Sequence, residues 1–420
     1  MKTKILIKNI KTIYTSNQLP PVKGNLMSLI EEINDAYILI EDELIKEIGK
    51  KLPTNLDDDI FVYDASGLIA IPGLIDSHTH LVFGGSREDE FSKKIAGVSY
   101  LDILSQGGGI HNTVTKTRNA SFDELYNQAK KSLDEMILFG VTTLEAKSGY
   151  GLNLETEIKQ LEVLKKLNEN HPIDIHITYL GAHALPKEYK NNRDEYIIQI
   201  IKDLEVIKLK DLAEYVDVFC EAGVFTAKET EKIFDKAKSL GFKLRLHSDE
   251  IESIGGTKLA VELEANTVDH LMAITDKDIN LLSKSNTIAN LLPATSFFLN
   301  KEFAPARKMI EAGVALSVSS DYNPGSTPSE NYQLTLQLAG NKLRMLPTEI
   351  LTAATINPAF GLDVNETLGS IELGKKADIL LLDAKNLDYF IYHYGTNHTK
   401  AVFKNGILVV DNRKILEEKI

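Results

Sequence analysis

One cysteine, Cys220, and no tryptophan occur in 420 residues. A lone thiol excludes an internal disulfide, thiolate zinc fingers and iron–sulfur clusters, and it points to a reducing cytoplasmic compartment. Any metal must then be held by histidine and carboxylate. No apolar run approaches the about 18 residues of a membrane span. The opening Met1–Lys8 admits only three apolar residues before a lysine, so no signal peptide is expected. Positive charge is in deficit: 47 Lys+Arg against 60 Asp+Glu leave a net charge of −13. That balance excludes non-specific binding to nucleic acid or to an anionic membrane, though not a local basic pocket for a small anion. Internal repeats and low-complexity tracts are absent.

What is present is ordinary globular material, 43% hydrophobic and 25% charged, enough for a large core. The length suits two to three domains, or one barrel with a smaller companion. Residues 4–10, 37–40 and 59–63 read as short strands, as do 377–382 and 401–410, the last broken by Asn405-Gly406. Two β-rich ends around a long middle predict a small composite β-sandwich domain built from both termini. The division expected is 1–66, a barrel over 67–367, and 368–420. In the middle, apolar strands at 73–80, 140–147, 174–184, 216–222, 243–249, 266–271, 287–292 and 314–321 alternate with helix-period segments such as 121–139, 154–168 and 227–240. Eight such units predict an α/β fold, a (β/α)8 TIM-like barrel; a doubly wound sheet is the competing reading.

Chemistry in such barrels sits where strands end. His78 and His80 close the first strand, His183 follows the third, His247 and Glu250 close the fifth, His270 the sixth and Asp321 the eighth. Five of the ten histidines therefore finish strands. A His-x-His pair alone is weak, expected roughly 0.2 times by chance in a chain like this. Its placement carries more weight, because residues two apart on a strand face the same side. With His247 and Asp321 it gives four N/O ligands suited to one divalent ion, zinc or iron, that activates water. The competing reading for each is a hydrogen-bonded barrel residue. Glu250 suits proton transfer to a leaving nitrogen, or else a helix cap; His270 suits a second proton carrier or an electrophile on the substrate carbonyl. Arg87 offers a fork for a carboxylate, or else pairs with Glu88, Asp89 or Glu90. His111, His171, His176, His393 and His398 lack strand-end placement and read as surface or loop residues.

Pro72-Gly73-Leu74-Ile75-Asp76-Ser77-His78-Thr79-His80, with Thr355–Ala359 and Leu368–Asp378, resembles the amidohydrolase superfamily over nearly the whole chain. Residues 81–91, 107–110, 145–151 and 179–184 narrow the resemblance to the imidazolonepropionase family, which opens the ring of 4-imidazolone-5-propanoate with water to give N-formimidoyl-L-glutamate in histidine degradation. The resemblance implies metal ligands His78, His80, His247 and Asp321, and substrate contacts at Arg87, Tyr150, His183, Asn323, Gly325 and Ser326, with Tyr100 as a further candidate. Ser326 stands where threonine is usual and keeps the hydroxyl. The resemblance turns Arg87 toward clamping a propionate, supports catalytic roles for Glu250, His270 and Asp321, and suggests a homodimer acting on a small anion. The fourth strand, 216–222, lacks the lysine that bridges two metals in binuclear relatives, and Lys147 is on the second strand, so one metal is expected. The alternatives are a mononuclear aminohydrolase that deaminates a purine, pyrimidine or related heterocycle, and a non-catalytic barrel that scaffolds partners.

Overall fold

The computed structural model describes residues 4–53, 60–98 and 108–416. Eight strands, Leu74–Thr79, Val141–Lys147, Asp174–Ala182, Tyr215–Cys220, Lys243–Ser248, Thr267–His270, Ile288–Leu291 and Leu316–Val318, pair in parallel in chain order. The first two are buried at every position, as strands covered on both faces must be. The sheet closes past its last strand, where Asp321 N–H donates to the His78 carbonyl at 3.0 Å and His80 N–H to the Tyr322 carbonyl at 2.9 Å. Closure decides against the doubly wound alternative. It also brings Asp321 alongside His78 and His80 through backbone alone.

The helices between strands start where the sequence caps them. At Phe122–Leu138 the Ser121 hydroxyl accepts from Glu124 N–H at 3.2 Å, and the Glu124 carboxylate accepts from Ser121 N–H at 2.8 Å. The helix then buries Leu125, Ala129, Leu133, Met136 and Ile137 along one stripe. Ala227–Ser239 opens with the same device at Thr226 and Glu229, and Arg193 adds Nε and Nη2 to the Glu229 carboxylate at 2.6 and 2.9 Å. The arginine, with the cap hydrogen bonds, pulls Glu229 from 4.5 down to about 2. A carboxyl lowered on folding stabilises above its unfolded value and ceases to as pH falls through its folded one. The stability gap between wild type and Glu229→Gln is therefore expected to be full at pH 6 and to close between pH 4.5 and 2; urea midpoints at pH 6, 4 and 3 check this, and a pH-independent gap would contradict it.

Both ends of the chain meet in a second, nine-stranded sheet. Strand Ile379–Leu382 runs antiparallel to Ile69–Pro72 and joins the C-terminal strands Thr399–Lys404 and Ile407–Asp411 to the N-terminal pair Lys4–Thr15 and Glu31–Glu41. The strands Leu44–Gly49 and Ile69–Pro72 were not expected from the sequence. This sheet has its own core, with Ile5, Ile7, Ile38, Ile379, Ala401 and Phe403 within it. Among the described residues no helix is long and apolar enough to cross a membrane.

Candidate active site

Five imidazoles and a carboxylate meet at the C-terminal mouth of the barrel. His78 and His80 point the same way from the first strand, with ring centroids 5.4 Å apart, and His247 lies 4.6 Å from His78. Asp321 Oδ1 stands 3.5 Å from His78 Nε2 and 3.6 Å from His80 Nε2. Those separations are too long for hydrogen bonds. They match the about 3.4 Å edge of a tetrahedron whose ligands lie about 2.1 Å from a shared ion. Nε2 of His78 and of His247 is buried without a hydrogen-bond partner, a cost a folded protein accepts where something else satisfies the atom. Burial, reinforced by Lys147 and the neighbouring imidazoles, holds His78 and His80 well below the usual imidazole value, and burial takes His247 down to about 4. All three present neutral nitrogen lone pairs, the form a metal binds. The donor set fits a divalent ion.

The imidazoles are aimed from behind. Asp269 Oδ2 faces His78 Nδ1 at 3.0 Å, and Asp217 Oδ2 faces His247 Nδ1 at 2.9 Å; carboxylates so placed fix the ring and leave Nε2 for the ion. Asp217 is held in turn by Lys147 at 2.9 Å, and Lys147 also pairs with Glu145 at 2.9 Å. Arg245 completes the cluster, 3.8 Å from Glu145 and 3.9 Å from Asp269. All five side chains are fully buried. Spacing along the chain does not single out Glu145, Asp217, Arg245 and Asp269; the one available signal is charge placed inside otherwise apolar strands. Lys147 lies against two carboxylates, where a negatively charged carbamate would be repelled.

Asp321 adopts φ 55°, in the left-handed region, and is braced by its own loop. Thr295, at the start of helix Pro293–Leu299, donates to Oδ2 at 2.6 Å, and Asn323 donates to Oδ1 at 3.0 Å. Asn323 Oδ1 accepts the N–H groups of Gly325 and Ser326, and the Ser326 hydroxyl reaches Asp321 Oδ2 at 3.3 Å. Asn323 and Ser326 thus bind the loop to Asp321. Burial raises the Asp321 carboxyl to about 6.

Tyr150 and His183 stand on the opposite wall. His183 stacks on His80 at 4.9 Å, with Nδ1 2.9 Å from the Gly149 carbonyl. That contact places the hydrogen on Nδ1 and leaves Nε2 an acceptor, and burial lowers His183 to about 4, so it is neutral. Gly149 has φ 112°, and a Cβ there would press on His183 Nδ1 and the Leu180 carbonyl at 3.0 Å, so only glycine serves. Tyr150 is buried beside His80 and His183, and burial keeps its hydroxyl protonated. The turn that carries Tyr150 hangs on Glu157, whose carboxylate accepts the N–H groups of Gly149, Gly151 and Leu152 at 2.8–2.9 Å.

Arg87 pairs with Glu90, one of the three acids expected as its partner. Nε and Nη2 grip Glu90 at 3.0 and 2.7 Å, and Glu90 also accepts Gly109 N–H and Asn112 Nδ2. The guanidinium is thereby fixed along one edge, with Nη1 toward Gly325, where a Cβ would collide with it. Glu250 Oε2 lies 3.8 Å from His270 Nδ1. It caps no helix, since the next one, Gly256–Glu262, takes Gly255 as its N-cap. His270, at φ 81°, brings a nitrogen within 4.8 Å of nitrogens of His78 and His247. Tyr100 lies outside the described residues. Of the remaining histidines, His398 lies in a loop, one of the two places expected for it, and is buried there between the carbonyls of Asp383 and His393 at 3.1 Å.

Residues 69–409 match the model of the amidohydrolase family. An imidazolonepropionase of Fusobacterium nucleatum subsp. nucleatum is 52% identical over 412 residues, covering 97% of this chain and 99% of the relative. One of Streptococcus gordonii is 48% identical over 421 residues, covering 99% and 100%. Among solved structures, a mutant atrazine chlorohydrolase of Arthrobacter aurescens complexed with zinc superposes with TM-score 0.75 at 17% identity, over 99% of this chain and 97% of that one. An adenosine deaminase of Xanthomonas campestris with bound zinc gives 0.71 at 16% identity, over 99% and 95%. Identities that low bear on the fold alone.

Proposed function

The chain belongs to the amidohydrolase family and, within it, to the imidazolonepropionases, and from that premise we propose that it hydrolyses the cyclic amide of 4-imidazolone-5-propanoate to N-formimidoyl-L-glutamate in histidine degradation. The observation that carries the reading is the mouth cluster: His78, His80 and Asp321 at ion-sharing distances and His247 close enough to share an ion with His78, with Arg87 fixed at its rim.

His78, His80, His247 and Asp321 would hold one divalent ion, zinc or iron; when bound it acidifies water and polarises the ring carbonyl. Arg87 clamps the propionate through the Nη1 edge that Glu90 leaves free. His183 offers Nε2 as acceptor to a ring N–H, and the Tyr150 hydroxyl donates. The loop of Asn323, Gly325 and Ser326 forms the wall beside Arg87. Water adds to the carbonyl carbon, and Glu250 takes its proton, directly or relayed by His270. The ring C–N bond breaks as Glu250 returns a proton to the departing nitrogen. Asp321 accepts the second proton of the water as the carboxylate product forms. A homodimer in the cytoplasm completes the proposal.

The test is direct. Metal-loaded enzyme should consume 4-imidazolone-5-propanoate, yield formimidoylglutamate and release no ammonia, whereas the deaminase alternative requires ammonia. No comparison supports that alternative. Elemental analysis decides between zinc and iron. Arg87→Ala should raise KM about 10- to 100-fold, as loss of a charge-assisted pair implies, with kcat and metal content little changed; an unaltered KM refutes the clamp.

A further inference from the structure

We propose that Glu221 is a positioning residue for hydrolysis, acting through Glu250, an inference that rests on the reaction proposed above. Glu221 follows the fourth barrel strand and is fully buried. A buried carboxylate ordinarily needs a cation, yet among the described residues no ion pair is found for it. Its oxygens instead accept four backbone N–H groups: Ala222 and Glu252 on Oε1 at 2.9 and 3.0 Å, Glu250 and Ile251 on Oε2 at 2.9 Å each. Backbone donors of three successive residues converging on one carboxylate form a concave nest around an anion.

That nest is what shapes the segment carrying Glu250. The fifth strand ends at Ser248, and Asp249 turns the chain outward at φ 54°, its carboxylate tied to the Ser248 and Thr257 hydroxyls at 3.1 and 2.7 Å. The next helix begins only at Gly256. Between them Ile251 is 57% exposed and contributes no core contact. Among the described residues the one ion-pair approach found for the Glu250 side chain is 3.8 Å from His270, so its place over the mouth is set by its backbone, and that backbone is set by Glu221. The carboxylate spans two adjacent barrel strands, the fourth and the fifth, which is why the pairing is invisible along the sequence.

Glu221→Gln keeps the shape but leaves one acceptor oxygen and turns an NH2 toward backbone N–H groups. A misplacement of about 1 Å costs on the order of 100-fold in rate. The expected result is a kcat lowered about 10- to 100-fold, with KM within about threefold and bound metal unchanged. In a Glu250→Gln background the same change should cost nothing further, because the group it positions is already gone. Hydrogen exchange of the amides of residues 250–252 should accelerate while strand amides hold. An unchanged kcat, a loss that adds fully in the Glu250→Gln background, or a parallel loss of metal would each overturn the proposal. If Glu221→Gln does not fold, Glu221→Asp, which keeps the charge but withdraws it by one methylene, is read by the same criteria. If the wild-type enzyme fails on 4-imidazolone-5-propanoate, the substrate reading falls, and the exchange comparison, which needs no substrate, still upholds or overturns the hold of Glu221 on the 250–252 backbone.

Discussion

His247→Ala is expected to lose metal and turnover together. His247 supplies one of the three imidazoles proposed to hold the ion, 4.6 Å from His78 and 5.5 Å from His80 between ring centroids, and Asp217, directly behind it, is engaged by Lys147. An ion that acidifies water by several pKa units cannot be dispensed with, so kcat/KM should fall by at least about a thousandfold. The variant should elute from gel filtration with substoichiometric metal. Asp217→Asn is the graded comparison: the ligand remains but its orienting carboxylate does not, and metal affinity should fall about 10- to 100-fold. Metal content by elemental analysis, chelator competition and steady-state rates check both. A His247→Ala protein that is metal-free and active would remove the assignment.

Lys147→Met is expected to cost about 3–5 kcal/mol of folding stability, the range for stripping one partner from a buried ion pair. The ammonium lies 2.9 Å from both Glu145 and Asp217, with no exposure on any of the three. Without it Arg245 alone must face Glu145, Asp217 and Asp269, from 3.8 Å or more where distances are short enough to count as pairs. The methionine fills the volume, so the loss is electrostatic and not a cavity. Adding Glu145→Gln removes one of the stranded charges and should recover a substantial part of the loss, a coupling that independent sites would not show. Denaturant unfolding of the single and double variants measures this. A Lys147→Met protein within about 1 kcal/mol of wild type, below the range for a broken buried pair, would mean the cluster is not held by its ions.

The sequence exposed the barrel strands well because each is a short apolar run with polar ends, and the observed Asp174–Ala182 and Lys243–Ser248 fall inside the expected spans. Helix Phe122–Leu138 was equally legible, since Ser121 and Glu124 mark its start and an apolar stripe marks its face. Strand Ile69–Pro72 was missed because it runs into the first barrel strand through Gly73 with no polar break. The closing residues of the strands, His78, His80, His247, His270 and Asp321, stood out as histidine and carboxylate at the end of apolar runs.

The groups behind them did not stand out. Glu90 is legible as a partner of Arg87, but nothing along the chain sets Glu157 and Glu221 apart; each of the three is buried and anchors one wall of the site: Arg87, the Tyr150 turn and the Glu250 segment. Asp217 and Asp269 likewise owe their roles to neighbours on adjacent strands. By itself the sequence determined the barrel, the dearth of thiols that left any metal to histidine and carboxylate, and the residues that reach the mouth, because periodicity and residue chemistry are local properties. Only the tertiary structure decided which carboxylate orients which imidazole, and that a backbone segment is held by a glutamate one strand away, because those contacts join residues brought together by barrel closure and not by their spacing along the chain.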